Sequence, residues 1–314
     1  MMDLGRLRVL RELKLRGTVA AVADALGYSP SAVSQQLAQL QREVGVAVVE
    51  RAGRRLRLTP AGEVLAEHAE LLLAGARRAE EAAVAASGRV AGVVRLVGFQ
   101  TALLHILAPA LPRLAEMYPD LVLDVVDEEF VRVLRALVLQ EIDVVLTDEY
   151  SHLPRPRQAE LVSEVLVTER MRIALPQEHP LVRAGGPVTL ADLAGQAWAI
   201  GHVGTNHADL LERTCVELGG FRPDVRYRSN DLLVMFAMVA RGGAACLVPD
   251  LALAEREEGI AVRDIAGTRV DRRMVLWTRG GAGVRPSVRA VLAELRRSAD
   301  ALVAQRPSLT RGER

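Results

Sequence analysis

Residues 18–44 carry two helix-start signals separated by one glycine, and this pattern restricts the fold more than any other feature of the chain. Thr18 can cap a short helix, and Gly27 can end that helix in a left-handed conformation. Ser29 and Pro30 then suit the cap and first position of a second helix. In this second helix, one apolar stripe must face a core, and it consists of Val33, Leu37, Leu40 and Val44. The sequence therefore predicts two helices joined by a tight turn.

The opposite face of the second helix carries short hydroxyl and amide side chains. Such groups can hydrogen-bond to base edges when a helix enters the major groove of DNA. The alternative is an ordinary solvated face, because polar outer faces are normal for surface helices. The side chains concerned are Ser31, Ser34, Gln35 and Gln39.

A basic hairpin is predicted directly after this helix, with strands over 48–51 and 55–58. Its arginines are Arg51, Arg54, Arg55 and Arg57. Residues 1–60 contain ten basic and five acidic side chains, whereas the rest of the chain contains 30 basic and 34 acidic ones. A basic N-terminal module with a basic hairpin is typical of a winged domain that binds a polyanion.

A longer pattern spans residues 4–63. Its members are Thr18, Val22-Ala23, Ser29, Ala32-Val33-Ser34, Gln36-Leu37, Val44-Gly45-Val46, Glu50-Arg51, Arg54, Leu58-Thr59 and Ala61-Gly62. In these residues the chain resembles the winged helix-turn-helix of the LysR-type transcriptional regulators. It departs from the family pattern at Ala20, Pro30-Ser31, Gln35 and Val49.

The resemblance implies a sequence-specific transcriptional regulator that binds double-stranded DNA at pseudo-palindromic promoter sites. RNA polymerase is a further partner that this role allows. The DNA-binding residues expected from the pattern are Thr18, Ser29, Pro30, Ser31, Ser34, Gln35, Gln39, Arg51, Arg54 and Arg55.

A long helix is predicted from Pro60 to Ala86, with a continuous stripe of apolar and small residues. In the LysR-type family this linker helix pairs two protomers, so the resemblance implies a homodimer or homotetramer. The alternative is a helix that docks on its own chain. Our candidate dimerisation residues are Leu65, Leu72 and Ala79.

From residue 93 onward, apolar strands alternate with helices, which favours a doubly wound, parallel α/β sheet followed by a second α/β lobe. The pattern predicts a helix over 102–117 and separate strands over 160–167 and 170–175, with Asp148 at a strand end as a hinge or rim residue. The resemblance implies a two-lobed effector domain of periplasmic-binding-protein type. The predicted fold class is thus α followed by α/β. Its predicted parts are a winged helix-turn-helix domain over 1–60, a linker helix over 61–88, an effector-binding domain over 89–305 and a flexible tail over 306–314.

Strand ends and helix N-termini line the cleft of such a domain, where free N–H groups favour anions. We therefore expect a small effector, anionic in character, between the lobes. Helix capping alone is the alternative role for these polar residues. The candidate effector-binding residues are Gln100, Thr101, His202, Val203, Thr205 and Asn230.

Other classes of function have less support. No nucleophile-elbow, zinc-protease or P-loop motif occurs, so we expect neither an enzyme nor any catalytic residue, metal site or cofactor. Cys215 and Cys246 leave open an alternative, a thiol-based redox-sensing regulator. The N-terminus has no apolar signal core, and the longest uncharged run is too interrupted for a membrane span, so we expect a cytoplasmic protein with no membrane partner.

Overall fold

The computed structural model describes residues 2–52, 55–86, 88–128, 133–138, 141–151, 153, 161–255, 258–280 and 285–312. The chain forms two compact units, residues 1–87 and 88–314. Among the helices of the described residues, none is long and apolar enough to cross a membrane.

The first unit contains four helices and a hairpin: α1 (Leu4–Arg16), α2 (Val19–Leu26), α3 (Pro30–Val44), β1 (Val49–Ala52), β2 (Arg55–Leu58) and α4 (Pro60–Ala86). The predicted caps are confirmed. The Thr18 hydroxyl accepts from the Ala21 N–H at 3.2 Å, and the Ser29 hydroxyl accepts from the Ala32 N–H at 3.2 Å. Gly27 ends α2 with φ +66°, a conformation that favours glycine.

The apolar stripe of α3 lies in the core of this unit, as predicted. Val33, Leu37 and Leu40 are fully buried and pack with side chains of α1 and α2 and with Ala66 and Ala69 of α4. The polar residue Gln41 connects α3 to the hairpin. Its side-chain oxygen accepts from the N–H groups of Val48 and Val49, at 3.0 and 3.1 Å. The hairpin is therefore fixed to the C-terminal end of α3.

The start of α4 lies against the hairpin at very short range. A Cβ atom on Gly62 would come within 1.9 Å of the Val48 carbonyl oxygen. The Thr59 hydroxyl holds this contact, since it donates to the Ala47 carbonyl oxygen at 2.7 Å and accepts from the Gly62 N–H at 3.0 Å. Only glycine fits at position 62 without moving the backbone.

The second unit is built on an eight-stranded sheet with the order β10-β6-β11-β5-β3-β4, in which β9 and β12 also pair with β6. Its strands are β3 (Gly92–Gly98), β4 (Leu121–Asp127), β5 (Val144–Tyr150), β6 (Leu161–Pro176), β9 (Cys246–Pro249), β10 (Ile260–Arg263), β11 (Asp271–Arg279) and β12 (Thr310–Arg311). β3 pairs in parallel with β4 and β5, which gives the predicted parallel arrangement in the first lobe.

Two antiparallel strands, β6 and β11, connect the lobes. We predicted separate strands over 160–167 and 170–175, but the structure has one strand of 16 residues, Leu161–Pro176. Its first half pairs with β11 and its second half with β9 and β10. An unbroken strand can serve both lobes because each half finds its own hydrogen-bonding partners.

Helices pack in both lobes, and a parallel pair of strands forms a separate small sheet in the second lobe. The helices are α5 (Gln100–Ala102), α6 (Ala108–Met117), α7 (Val133–Val138), α8 (Pro180–Ala184), α9 (Asn206–Gly219), α10 (Leu232–Ala240) and α11 (Pro286–Gln305), and the parallel pair is β7 (Ala197–Ile200) with β8 (Asp224–Arg228). Separate buried clusters form the cores of the two lobes.

Two local predictions are wrong. The first helix of this unit begins at Gln100, not Ala102, and a π-helical turn over Leu103–Leu107 joins α5 to α6. The segment 306–314 is not a free tail over its described part. Leu309 is buried, and Thr310 and Arg311 pair with Thr168 and Val167 of β6. The polar composition of the segment hid its pairing with a strand that has an open edge.

We expect Gly62→Ala to lower the free energy of unfolding by about 1–3 kcal/mol, the usual cost of overpacking. The new methyl group meets a backbone oxygen, which cannot rotate away. Denaturant unfolding of the full chain measures the change. Gly5→Ala is the control, because the only close neighbour of its Cβ is the flexible Asp3 carboxylate at 2.9 Å. Equal stability of both variants would contradict the role assigned to Gly62.

Candidate functional site

The N-termini of α2 and α3 present exposed hydroxyl groups on one unit. Thr18, Ser29, Ser31 and Ser34 are all exposed. The hydroxyls of Ser29 and Ser31 lie 2.9 Å apart, and Pro30 occupies the first helical position. Exposed N–H groups and hydroxyls at a helix start are suited to phosphate oxygens.

The glutamines of α3 differ in how free their amides are. Gln39 donates to Glu43 at 3.1 Å and accepts from Arg42 at 3.0 Å, so neighbouring side chains occupy its amide. Gln36 similarly accepts from Arg6 at 3.1 Å. Gln35 is exposed and has no hydrogen-bond partner among the described residues. Of the predicted base-reading amides, Gln35 is the one left available.

The hairpin contributes an exposed cation to the same unit. Arg51 is exposed on β1, whereas Arg57 pairs with Glu50 at 2.7 Å. Arg54 lies outside the described residues, and Arg55 is described only through its backbone in β2. The predicted phosphate contact at Arg51 therefore has an accessible side chain.

One face of the linker helix α4 packs on its own unit, and another face is exposed. Ala66 and Ala69 are buried in the core of their own unit, and Leu65 packs against that core. Val64, Leu71 and Leu72 are exposed, Leu72 by 45% of its surface, and Ala79 is exposed as well. Docking on its own chain thus accounts for Leu65 but not for Leu72.

A cavity of about 50 Å³, open to solvent on one side, lies between the two lobes of the second unit. Three of the predicted effector-binding residues, Gln100, Thr101 and Asn230, line its wall. The other lining residues are Phe99, Asp148, Tyr150, Gly201, His207, Ser229, Leu232, Met235, Pro249 and Arg272.

His202, Val203 and Thr205 do not line this cavity. Thr205 is buried and caps α9 by accepting from the Ala208 N–H, and its hydroxyl also donates to the His202 carbonyl oxygen at 2.8 Å. The His202 N–H donates to the Asn230 side-chain oxygen at 2.9 Å. Val203 is 80% exposed. The loop turns on itself to cap the helix, which directs these side chains away from the cavity wall.

A row of three buried polar side chains crosses the sheet beneath the cavity. In register, Arg272 on β11 lies opposite Tyr150 on β5 and Glu169 on β6. Glu169 accepts from Arg272 Nε at 3.0 Å and from Arg272 Nη2 at 2.7 Å. Nη2 also donates to the Thr101 hydroxyl at 2.7 Å, and the guanidinium lies 5.1 Å from the centre of the Phe99 ring.

Burial and ion pairing shift the pKa values of Arg272 and Glu169 in this row. Desolvation is the largest single effect and works against the charged form of Arg272. The charges of Glu169, Tyr150 and Asp148 and the hydrogen bond to Glu169 together outweigh it, so the pKa of Arg272 lies above its ordinary value. Desolvation raises the pKa of Glu169, and Arg272 opposes that rise. Removal of either partner would leave a buried charge without compensation.

Asp148 lies two residues before Tyr150 on β5 and shares its face of the sheet. It accepts from the Tyr150 hydroxyl at 2.8 Å and from the Asn206 amide at 2.6 Å. Because Asn206 starts α9 in the second lobe, this hydrogen bond joins the lobes. Gln100 forms another such link, since its side-chain oxygen accepts from the Leu232 N–H at 3.1 Å.

His207 lines the cavity but uses both ring nitrogens within the protein. Nδ1 accepts from the Gly201 N–H at 3.1 Å, which assigns the proton to Nε2, 2.8 Å from the Leu247 carbonyl oxygen. Burial lowers the pKa of His207 and favours this neutral form. His207 therefore supports the wall and has no nitrogen free for a ligand.

Sequence reasoning missed Arg272, Glu169 and Tyr150, and it placed Asp148 only at a strand end or hinge. The sequence does not single out Glu169 and Arg272, because both strands carry further charged side chains, such as Arg170 and Arg273. Charged residues within strands are almost never fully buried unless they are paired. Sequence alone does not show that these two strands lie side by side.

Both cysteines are buried free thiols. Burial raises the pKa of Cys215 to about 12 and the pKa of Cys246 to about 12. The thiolate is the reactive form of cysteine. The structure therefore gives neither residue the exposed, positively charged surroundings that lower the pKa of a redox-sensing thiol.

The two units have the architecture of a DNA-binding winged helix followed by a two-lobed ligand-binding domain. The sequence matches two family models: the bacterial regulatory helix-turn-helix protein of the lysR family over residues 4–63, and the LysR substrate binding domain over residues 87–300. The chain belongs to the LysR family of transcriptional regulators. This confirms the resemblance and the predicted fold class.

Individual relatives are similar over nearly the whole chain. The regulator CbbR of Xanthobacter flavus is 25% identical over 307 residues, covering 97% of this chain and 90% of that protein. The dual regulator GltC of Bacillus subtilis (strain 168) is 28% identical over 264 residues, covering 83% and 85%. The crystal structure of full-length CbnR with its target DNA has a TM-score of 0.68 at 23% identity, covering 95% of this chain and 100% of that one.

We expect both thiols to resist alkylation by iodoacetamide in the folded chain at neutral pH and to react fully in guanidinium chloride. The raised pKa values keep both groups protonated, and burial excludes the reagent. Mass spectrometry before and after peroxide treatment measures the result. A disulfide between Cys215 and Cys246, or rapid alkylation of the native chain, would support the redox alternative.

Proposed function

We propose that this regulator reads promoter DNA with the N-terminal face of α3 and responds to a carboxylate-bearing metabolite held between the lobes of its second unit. The single observation that carries the effector part is the buried Arg272 at the wall of the cavity. The DNA part rests on the free amide of Gln35 beside the exposed hydroxyls of α3.

In this proposal, Gln35 and Ser34 contact base edges. Thr18, Ser29, Pro30 and Ser31 place the two helix starts against phosphates, and Arg51, Arg54 and Arg55 hold the backbone. Glutamine is suited to a bidentate contact with adenine. Gln39 takes a supporting position, because Glu43 and Arg42 already hold its amide.

A carboxylate effector fits the wall at Thr101 and Arg272. The N–H groups of Ala102 and Leu103 donate to the Phe99 carbonyl oxygen, so the donors available at this helix start are those of Gln100 and Thr101. Asn230 and Gln100 complete the polar wall. Thr205 caps α9, and His202 and Val203 lie outside the cavity wall, so these three residues would join the site only after a rearrangement of their loop.

Coupling between ligand and DNA requires the ligand to favour one arrangement of the lobes over another. Gln100 and Asp148 are placed for such an effect, since both line the cavity and both make hydrogen bonds across it. No catalysis is part of this proposal, and it needs no metal or cofactor. A regulator that acts on bacterial promoters acts in the cytoplasm, with RNA polymerase as a neighbour on the DNA.

Leu72 and Ala79 provide the proposed dimer contact on α4. Their exposed face continues along the helix away from the core of their own unit. Covering such a face with its copy would bury apolar surface and relate two α3 helices by a two-fold axis. The two half-sites would then lie about one helical turn apart, roughly 34–36 Å.

We expect Gln35→Ala to lower affinity by about 1–3 kcal/mol at one base pair and to relax the preference there. Arg51→Ala is the contrasting variant. It should weaken binding to all DNA sequences alike and reduce the salt dependence of that binding. Binding to a set of single-base operator variants, chosen by genomic footprinting, measures both effects. An unchanged site preference in Gln35→Ala would show that the groove-facing assignment is wrong.

We expect Leu72→Asp to disrupt association, because it would bury an unpaired charge at the contact between two copies. Light scattering measures the oligomeric state, and circular dichroism checks that helix content is retained. Glu70→Gln alters charge on the opposite side of the helix and serves as the control. A Leu72→Asp variant that remains dimeric would place the contact elsewhere.

A further inference from the structure

The cavity wall presents two opposite charges at neighbouring positions on one face of the sheet. Arg272 lies opposite Tyr150, and Asp148 lies two residues away on the same strand. Side chains two apart on a strand point to the same face, and such diagonal neighbours on adjacent strands lie about 7–8 Å apart. Both Arg272 and Asp148 line the cavity.

The guanidinium of Arg272 has an unused donor. Its Nε and Nη2 groups are bound by Glu169 and Thr101, but Nη1 has no acceptor among the described residues. Arg272 is only 5% exposed. Arg272 lines the cavity, and a guanidinium with a free N–H group at the wall can donate to a carboxylate, so the cavity is suited to a ligand that carries a carboxylate here.

The carboxylate of Asp148 favours a cationic group on the ligand, which complements the preference of Arg272 for a carboxylate. One of its oxygens accepts from Tyr150 and the other from Asn206, and each oxygen retains a further acceptor site. A ligand whose only charge is a carboxylate would be repelled by Asp148. A ligand with an ammonium group would be attracted to it.

Further negative charge lies beside Gln100, one of the lining residues. Asp231 caps α10 beside Gln100, and its carboxylate is 3.5 Å from the Gln100 amide nitrogen. The pKa of Asp127 is raised, first by loss of hydration and second by the negative charge of Asp231. Negative charge beside the cavity wall favours molecules that carry a cationic group.

The wall also has an apolar part. Phe99 and Tyr150 come from the first lobe, and Leu232, Met235 and Pro249 come from the second. These side chains offer a surface for an uncharged hydrocarbon or thioether group. Among the described residues, Asp148 and Arg272 are the charged side chains that line the cavity, and the lining His207 is neutral.

We propose that the effector is an α-amino acid with an apolar side chain, whose carboxylate binds Arg272 and whose ammonium group binds Asp148. An α-amino acid carries both charges on one carbon, which matches two anchors on adjacent strands. This inference rests on the proposed function, because it assigns the chemistry of the same cleft. It adds the requirement for an amino group.

The test uses the full chain and matched pairs of ligands. L-leucine, L-methionine and L-phenylalanine are compared with their counterparts that lack the amino group: 4-methylpentanoate, 4-(methylthio)butanoate and 3-phenylpropanoate. Thermal unfolding screens the six compounds, and calorimetry measures their affinities. We expect at least one amino acid to bind roughly tenfold to a hundredfold more tightly than its counterpart, the usual effect of one charge-assisted hydrogen bond.

Two variants then locate the amino group. Asp148→Asn should bring the affinity ratio of the matched pair close to one. Glu149→Gln changes a carboxylate on the opposite face of β5 and should leave the ratio unchanged. Because the ligand pairs are compared on the unmodified chain, the test holds even if Asp148→Asn folds poorly.

Each outcome separates this inference from the proposed function. If the carboxylates bind as well as the amino acids, or bind while no amino acid does, the effector is a simple carboxylate and the amino-acid inference is wrong. If none of the six compounds binds, the amino-acid inference also fails. DNA footprints of the regulator, recorded with and without these acids, then decide whether the proposed response to a carboxylate fails as well. Binding of DNA by the ligand-free chain is unaffected by any of these results.

Discussion

The second unit depends on the buried ion pair between Glu169 and Arg272, which joins its two crossing strands. Both side chains are almost fully buried, and each makes a further contact: Arg272 donates to Thr101, and Glu169 accepts from the Leu251 N–H at 2.8 Å. Loss of one partner from such a pair costs about 3–5 kcal/mol. The same pair orients the guanidinium toward the cavity, so the interaction that fixes the crossing strands also shapes the ligand site.

The contacts that hold the lobes across the cavity are weaker than this pair. Gln100 and Leu232 share one hydrogen bond, worth on the order of 1 kcal/mol. Asn206 donates two to Asp148, one to its backbone carbonyl oxygen and one to its carboxylate, which is worth up to about 3 kcal/mol. A ligand that replaces or supports them can therefore shift the balance between lobe arrangements. Strong pairing on the crossing strands and weak pairing across the cleft suit a domain that keeps its fold while its lobes move.

The first unit shows a similar division of roles among residues that look alike in the sequence. Ser29 caps α3, Gln41 fixes the hairpin, and Gln36 accepts from Arg6, whereas Gln35 remains unpartnered among the described residues. A helical wheel treats all of these as one polar surface. Distances to neighbouring elements separate the side chains that build the domain from the one available to DNA.

The sequence by itself determined the local structure and the class of protein. Caps, the glycine turn, the apolar stripe of α3 and the strand–helix alternation depend on residues close together in the chain, and these predictions hold because local hydrogen bonds and periodic burial decide them. Tertiary structure alone decided the cavity wall. Tyr150, Glu169 and Arg272 are far apart in sequence and meet only because β5, β11 and β6 are adjacent. It likewise turned the loop at His202 and Val203 away, and it paired the polar end of the chain with β6. Strand order and register arise from long-range contacts, which no local pattern of residues contains.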